Sequence, residues 1–133
     1  MTHAFDLRVY YEDTDLAGIV YYANYLKFIE RARTEWVRDL GVDQGRLRAD
    51  LGMGFAVRRI EADYLRPAKF DDALRVQTRA LAVSGARIVL EQEVFRGEEK
   101  LFAAQVTLVC LTATGHPARL PAGLRAAMAQ VRP

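Results

Sequence analysis

A chain of 133 residues that is 51% hydrophobic and 27% charged is long enough for one domain burying roughly two thirds of its unfolded surface, and too apolar to be disordered or collagen-like. Nineteen Lys and Arg against 17 Asp and Glu give a formal charge of +2, mixed along the chain without a basic block, so nothing favours a nucleic-acid partner. A lone cysteine, Cys110 in the apolar run VTLVCLTA, excludes a disulfide framework and a cysteine-based zinc site and reads as core packing. No stretch of about 18 apolar residues exists to span a membrane. The first residues, MTHAFDLRVYYEDTD, lack the basic, apolar and small-residue sequence of a secretory signal. The expected location is the cytoplasm.

In chain order, residues 5–11 alternate Phe5, Leu7, Val9 and Tyr11 with Asp6, Arg8 and Tyr10, the period-2 pattern of a half-buried strand. Beyond Gly18 the period changes. Tyr25, Phe28, Ile29, Ala32, Trp36, Val37 and Leu40 recur every three or four residues, which predicts a helix of about 17 residues with one apolar stripe. Glu30, Arg31, Arg33, Glu35, Arg38 and Asp39 fall on its wet face, and Gly41 ends it. The polar segment GVDQGRLRADLGMG reads as a connection with one helical turn.

Strands are predicted over residues 55–65, 73–83, 87–95 and 100–112, with RGEEK as a hairpin turn between the last two. The final strand is apolar on both faces, so something must cover its second side. Residues after Pro121 read as a short C-terminal helix that frays at its end. A strand, a long helix with one apolar stripe and four sequential antiparallel strands make an α+β arrangement in which the sheet wraps the helix. Pairing such sheets across a two-fold axis removes one exposed edge from each chain, so at least a dimer is expected.

The segment DTDLAGIVYYAN carries the most chemistry. Asp13, Asp15 and Gly18 fit the first, third and sixth positions of a calcium loop, but Ala17 and Asn24 stand where an oxygen ligand and a bidentate Glu are required. No metal site is expected. Glu12 and Asp13 read as carboxylates that solvate a turn. Asp15 is followed by the nearly all-apolar residues 16–20, so the turn is expected to be tucked against protein. A helix then begins near Tyr22, and its unpaired N–H groups and positive partial charge suit an anion or a polarised carbonyl. Asp15 as base or nucleophile and a helix N–H as oxyanion donor would form an active-site pair.

The run YYEDTDLAGIVYYANYLKFIERAR resembles the signature of the hydroxybenzoyl-CoA thioesterase branch of the hotdog superfamily, in particular its Tol-Pal-associated acyl-CoA thioesterases. The likeness continues through DYLRPAKFDDALRVQT and VTLVCLTATGHPARLP. It implies a single hotdog domain over residues 1–133: a five-stranded antiparallel sheet around one central helix, assembled as a homodimer or homotetramer. It also implies acyl-CoA as substrate, no cofactor, and an association with the Tol-Pal system or lipid metabolism. The family's catalytic aspartate falls on Asp15, and the backbone N–H that polarises the thioester carbonyl falls on Tyr22. Tol-Pal-type members usually carry histidine at that position and the hydroxybenzoyl type tyrosine; a main-chain donor tolerates either. Gly18, Val20, Tyr21 and Tyr25 are the implied substrate-binding residues around this pair. Arg87 and Arg119 fall near places where relatives present basic groups to CoA, with Arg58, Arg59, Arg66 and Lys69 as further cations.

Other residues read more plainly. Tyr10, Tyr11 and Trp36 would line an acyl pocket or, for Trp36, pack the core. His116 reads as a loop histidine and His3 as disordered. Asp15 either attacks the carbonyl to form a mixed anhydride or deprotonates water. Two rival readings are a hotdog hydratase or dehydratase, although residues 13–24 hold no histidine, and a hotdog module that binds acyl-CoA or protein without turnover.

Overall fold

The computed structural model describes residues 2–129. Five strands, β1 (His3–Arg8), β2 (Met53–Tyr64), β3 (Ala73–Ser84), β4 (Arg87–Arg96) and β5 (Glu99–Thr112), form one sheet of order β1-β3-β4-β5-β2, antiparallel throughout. The long helix α1 (Asn24–Asp39) lies against it, followed by α2 (Gln44–Leu51), with α3 (Ala122–Ala129) after the sheet. This is the expected α+β hotdog arrangement.

The core lies between the stripe of α1 and the inner face of the sheet. Tyr25, Phe28, Ile29, Ala32, Trp36 and Val37 are buried on the helix. Leu74 and Val76, Ile88 and Leu90, and Phe102, Val106 and Leu108 are buried opposite them. Each large apolar side chain removed from water contributes about 1.5–3 kcal/mol, so this one stripe holds the helix inside the sheet. Leu124 and Met128 of α3 join the same core. The fraying expected beyond that helix falls on residues 130–133, outside the described residues.

The differences from expectation have local causes. β1 stops at Arg8, and residues 11–13 form a 3-10 turn, because the Asp13 carboxylate accepts the Tyr10 N–H at 2.8 Å and turns the chain. The connection after α1 holds two helical turns. Asp43 caps them through the Arg46 N–H at 3.1 Å, and Gly52 ends them at φ 65°. His3 is ordered in β1, with Nε2 2.7 Å from Asp39 Oδ2. Arg33 leaves the wet face and donates to Oε1 of the buried Gln92 at 3.0 Å. On the outward face of β5, Ala103, Thr107, Val109 and Leu111 are half-buried and Gln105 is exposed.

Candidate active site

Thr14 and Val20 form an antiparallel bridge, and the Asp15 N–H donates to the Ile19 carbonyl at 2.9 Å, so Asp15 opens the turn of a small hairpin. Its Oδ1 accepts the Ala17 N–H at 2.9 Å, the local side-chain turn that Asp favours. Gly18 closes the turn at φ 81°, a left-handed conformation that L side chains rarely adopt. The return limb is clasped to the loop before β3: the Val20 N–H donates to the Ala68 carbonyl at 2.8 Å, and Ile19 bridges Lys69.

The turn is not tucked away as expected. Asp15, Ala17 and Gly18 are exposed and Leu16 is fully so, while only Ile19 and Val20 turn inward. Burial of an apolar residue is a tendency, and here turn geometry prevails over it.

The two aspartates differ in what they hold. Asp13 is engaged on both sides: its carboxylate takes Tyr10, and its carbonyl takes the Tyr21 N–H and the Asn24 Nδ2, each at 2.9 Å. Asp15 holds only its own hairpin: Oδ1 accepts the Ala17 N–H and its carbonyl the Gly18 N–H at 3.0 Å, while its Oδ2, like Oδ1 of Asp13, accepts from no protein donor among the described residues. Tyr21 is pushed above the ordinary tyrosine range, first by the neighbouring Tyr22 hydroxyl and also by the negative charge of Asp15.

α1 begins at Asn24 after Ala23, which offers no side-chain cap. The N–H groups of Tyr22 and Ala23 donate to no protein acceptor among the described residues, leaving donors of the kind a helix start offers to an oxyanion. Beside them is a cleft of about 300 Å³ walled by Ile19, Val20, Tyr22, Tyr64, Leu65 and Arg66, with Tyr25 and Pro67. Tyr25 stacks on Phe102 at 4.9 Å, and its hydroxyl accepts the Ala68 N–H at 3.0 Å. Burial pushes its phenol above the ordinary value.

Asp15, Gly18, Val20, Tyr21, Tyr22 and Tyr25 thus fall in the hairpin and at the start of α1. Arg87 and Arg119 do not join them within one chain. Arg87 pairs with Val109, whereas Phe102 beside the cleft pairs with Val94, a separation of roughly 23 Å along β5 at about 3.3 Å per residue. Arg119 sits at the same far end, where the Leu120 N–H donates to the Gly85 carbonyl at 2.9 Å. Of the further cations, Arg66 lines the cleft and Lys69 borders its loop. Trp36 is core, Tyr10 and Tyr11 are exposed, and His116 is an exposed loop residue with Nδ1 3.0 Å from Thr114 Oγ1. No group of His, Cys, Asp and Glu among the described residues is arranged to hold a metal ion, and none of their helices is long and apolar enough to cross a membrane.

Tyr64 escaped the sequence reading. Its hydroxyl donates to the Tyr22 carbonyl at 3.0 Å. The available signal was parity: it shares the inward face of β2 with Ile60 and Ala62 and ends the strand.

Residues 9–128 match the model of the thioesterase-like superfamily. The acyl-CoA thioesterase YbgC of Haemophilus influenzae is 44% identical over 108 residues, 81% of this chain and 79% of that protein. The acyl-CoA thioester hydrolase YbgC of Escherichia coli is 42% identical over 106 residues, 79% of this chain and 78% of its own length. A probable thioesterase from Bartonella henselae has the same fold at a TM-score of 0.88 and 40% identity, over 91% of this chain and 100% of that one.

Proposed function

The chain belongs to the thioesterase-like superfamily and is an acyl-CoA thioester hydrolase; we propose that Asp15 is its catalytic carboxylate and the start of α1 its oxyanion donor. The observation that carries this reading is the contrast between the two aspartates. Each carboxylate accepts one backbone N–H among the described residues, but Asp13 is half-buried and its carbonyl braces Tyr21 and Asn24, whereas Asp15 is exposed on a hairpin whose return limb walls the cleft at the unpaired N–H groups.

A thioester is already an activated acyl donor, so one carboxylate and one donor suffice. With the carbonyl oxygen on the Tyr22 N–H, Asp15 acts in one of two ways. As nucleophile it forms a mixed anhydride and expels CoA thiolate, and water then cleaves the anhydride and regenerates the carboxylate. As base it takes a proton from the water that attacks the carbonyl, and the tetrahedral species expels CoA. One well-aimed oxyanion donor is worth about 3–4 kcal/mol of barrier. Gly18 gives the turn its shape, and Val20, Tyr21 and Tyr25 shape the acyl side.

The working unit in this reading is a dimer or a tetramer. Leu16, Tyr22, Leu26, Tyr64 and Leu65 are large apolar or aromatic side chains left exposed around the site, and β1 and β2 are open sheet edges. Arg87 and Arg119, remote from Asp15 in their own chain, would serve the CoA phosphates of a neighbouring copy, and Arg66 those of its own. The reaction is placed in the cytoplasm, where CoA esters are formed.

The test is release of free thiol from a panel of short, long, branched and aromatic acyl-CoAs. Hydrolysis of at least one class supports the reading. Hydration of an enoyl-CoA without thiol release, or binding without turnover, contradicts it.

A further inference from the structure

Tyr22 and Ala23 precede the first residue of α1, in a turn closed by the Asn24 N–H on the Tyr21 carbonyl at 2.8 Å, and the Ala23 carbonyl accepts the Leu26 N–H at 3.1 Å; the peptide between them, Tyr22 C=O to Ala23 N–H, takes part in neither bond. Their neighbours are tied, Tyr21 and Asn24 both to the Asp13 carbonyl at 2.9 Å. Between those ties, one bond among the described residues reaches the backbone of Tyr22 itself: the Tyr64 hydroxyl donates to the Tyr22 carbonyl at 3.0 Å. Tyr64 comes from the far end of β2, and its ring stands edge-on to Tyr22, Tyr25 and Phe102 at 6.2, 5.6 and 5.1 Å. Tyr25 is buried and stacked on Phe102, so the hydroxyl is aimed from a rigid base although Tyr64 itself is 49% exposed.

We infer that Tyr64 is a positioning residue for the hydrolysis: by holding the Tyr22 carbonyl, it fixes the direction of the N–H groups on either side of it. This rests on the reading that the start of α1 polarises the thioester. The Tyr22 carbonyl and the Ala23 N–H belong to one planar peptide and point in opposite directions, so fixing one fixes the other. The Tyr22 N–H shares its peptide with the Tyr21 carbonyl, which the Asn24 N–H holds at 2.8 Å, so the Tyr64 bond completes the fixing of both donors. An oxyanion donor accelerates the reaction only when it is aimed before charge develops. The Tyr64 hydroxyl is engaged with main chain, so its loss weakens the transition state more than the bound substrate.

The experiment is steady-state hydrolysis by Tyr64→Phe, which keeps the ring and removes the hydroxyl. Wild type and Asp15→Asn are assayed beside it on the best acyl-CoA of the panel. The expected result is a kcat lower by about tenfold, since small misplacements of catalytic groups cost that much or more, with KM nearly unchanged and wild-type circular dichroism. Wild-type kcat, or a raised KM at unchanged kcat, overturns the inference, because either assigns Tyr64 to packing or to the pocket wall. Should the Phe variant fail to fold, Tyr64→Met fills the same half-exposed space without a donor and is read in the same way. A wild-type chain that releases no thiol from any acyl-CoA refutes the proposed function and this inference with it. An active wild type, an inactive Asp15→Asn and an unchanged Tyr64→Phe refute the inference alone.

Discussion

The side-chain amide of Asn24 donates to the main-chain carbonyl of Asp13 at 2.9 Å, tying the first residue of α1 to the limb of the hairpin that leads into Asp15. The proposed catalytic carboxylate and its proposed oxyanion donor thereby share one brace. Asn24→Ala removes the amide and leaves the carbonyl bonded only to the Tyr21 N–H. The expected cost is about 1 kcal/mol of stability, the net worth of one hydrogen bond, and a kcat lower by about fivefold through lost alignment. Urea unfolding and steady-state kinetics on the same preparation check the two effects separately.

Gln92 is fully buried and has partners on both ends of its amide. Nε2 donates to the Ile29 carbonyl and to Thr78 Oγ1 at 2.9 Å each, and Oε1 accepts from Arg33 at 3.0 Å. Burial holds the Arg33 guanidinium below the ordinary arginine value, so this cation depends on its acceptor. Gln92→Leu is expected to cost about 2–4 kcal/mol, chiefly by leaving Arg33 without that acceptor. Arg33→Met should cost less, and in the double variant the two losses should not add. Chemical denaturation of the four proteins in the cycle measures this.

Arg96 joins the loop before β3 to the sheet, with Nη1 2.7 Å from Asp72 and Nη2 2.7 Å from Glu99. Burial alone would raise the Asp72 carboxyl, but the Lys69 N–H and Arg96 outweigh it and hold it below the usual carboxylate value; Arg96 does the same for Glu99. For groups depressed in the folded state, the stabilisation is complete above their unfolded values of about 4 and is lost as pH falls through the lower folded values. The thermal midpoint of the wild type should therefore drop more steeply below about pH 4 than that of Arg96→Met. Parallel acid slopes would contradict this assignment.

Sedimentation equilibrium at micromolar concentration should report a dimer or a tetramer. The supporting features are the open β2 edge, the exposed Leu16, Leu26 and Leu65, and the half-buried outward residues of β5. A strictly monomeric, fully active enzyme would contradict the assembly and the role given to Arg87 and Arg119 of a neighbouring copy.

The elements that announced themselves in the sequence were those whose residues decide their structure locally or through one repeated contact. The stripe from Tyr25 to Val37 recurs with helical period because one helix face meets one sheet, and the alternation in β3 marks its buried face. The loop through Gly18 is also local chemistry; the Asx turn at Asp15 and the left-handed Gly18 that form it were not specified by the sequence. What stayed hidden depends on partners distant in the chain. Arg33 turns inward because Gln92 waits on β4, His3 is ordered by Asp39, and Tyr64 reaches Tyr22 only once β2 is in the sheet. The exposure of Leu16 was missed for a different reason. An apolar run was read as buried, whereas the turn that begins at Asp15 points that side chain outward.

The central claim is that Asp15 performs chemistry while Asp13 performs structure, and a matched pair of substitutions tests it. Asp13→Asn retains an acceptor for the Tyr10 N–H and should stay folded with a kcat near that of the wild type. Asp15→Asn likewise keeps an acceptor for the Ala17 N–H but loses its basicity and nucleophilicity. The decisive measurement is kcat for both variants on the best acyl-CoA, with circular dichroism and sedimentation confirming fold and assembly. The account predicts a fall of about 100-fold or more for Asp15→Asn alone, the least that a general base contributes, and equal kcat values for Asp15→Asn and wild type would contradict it.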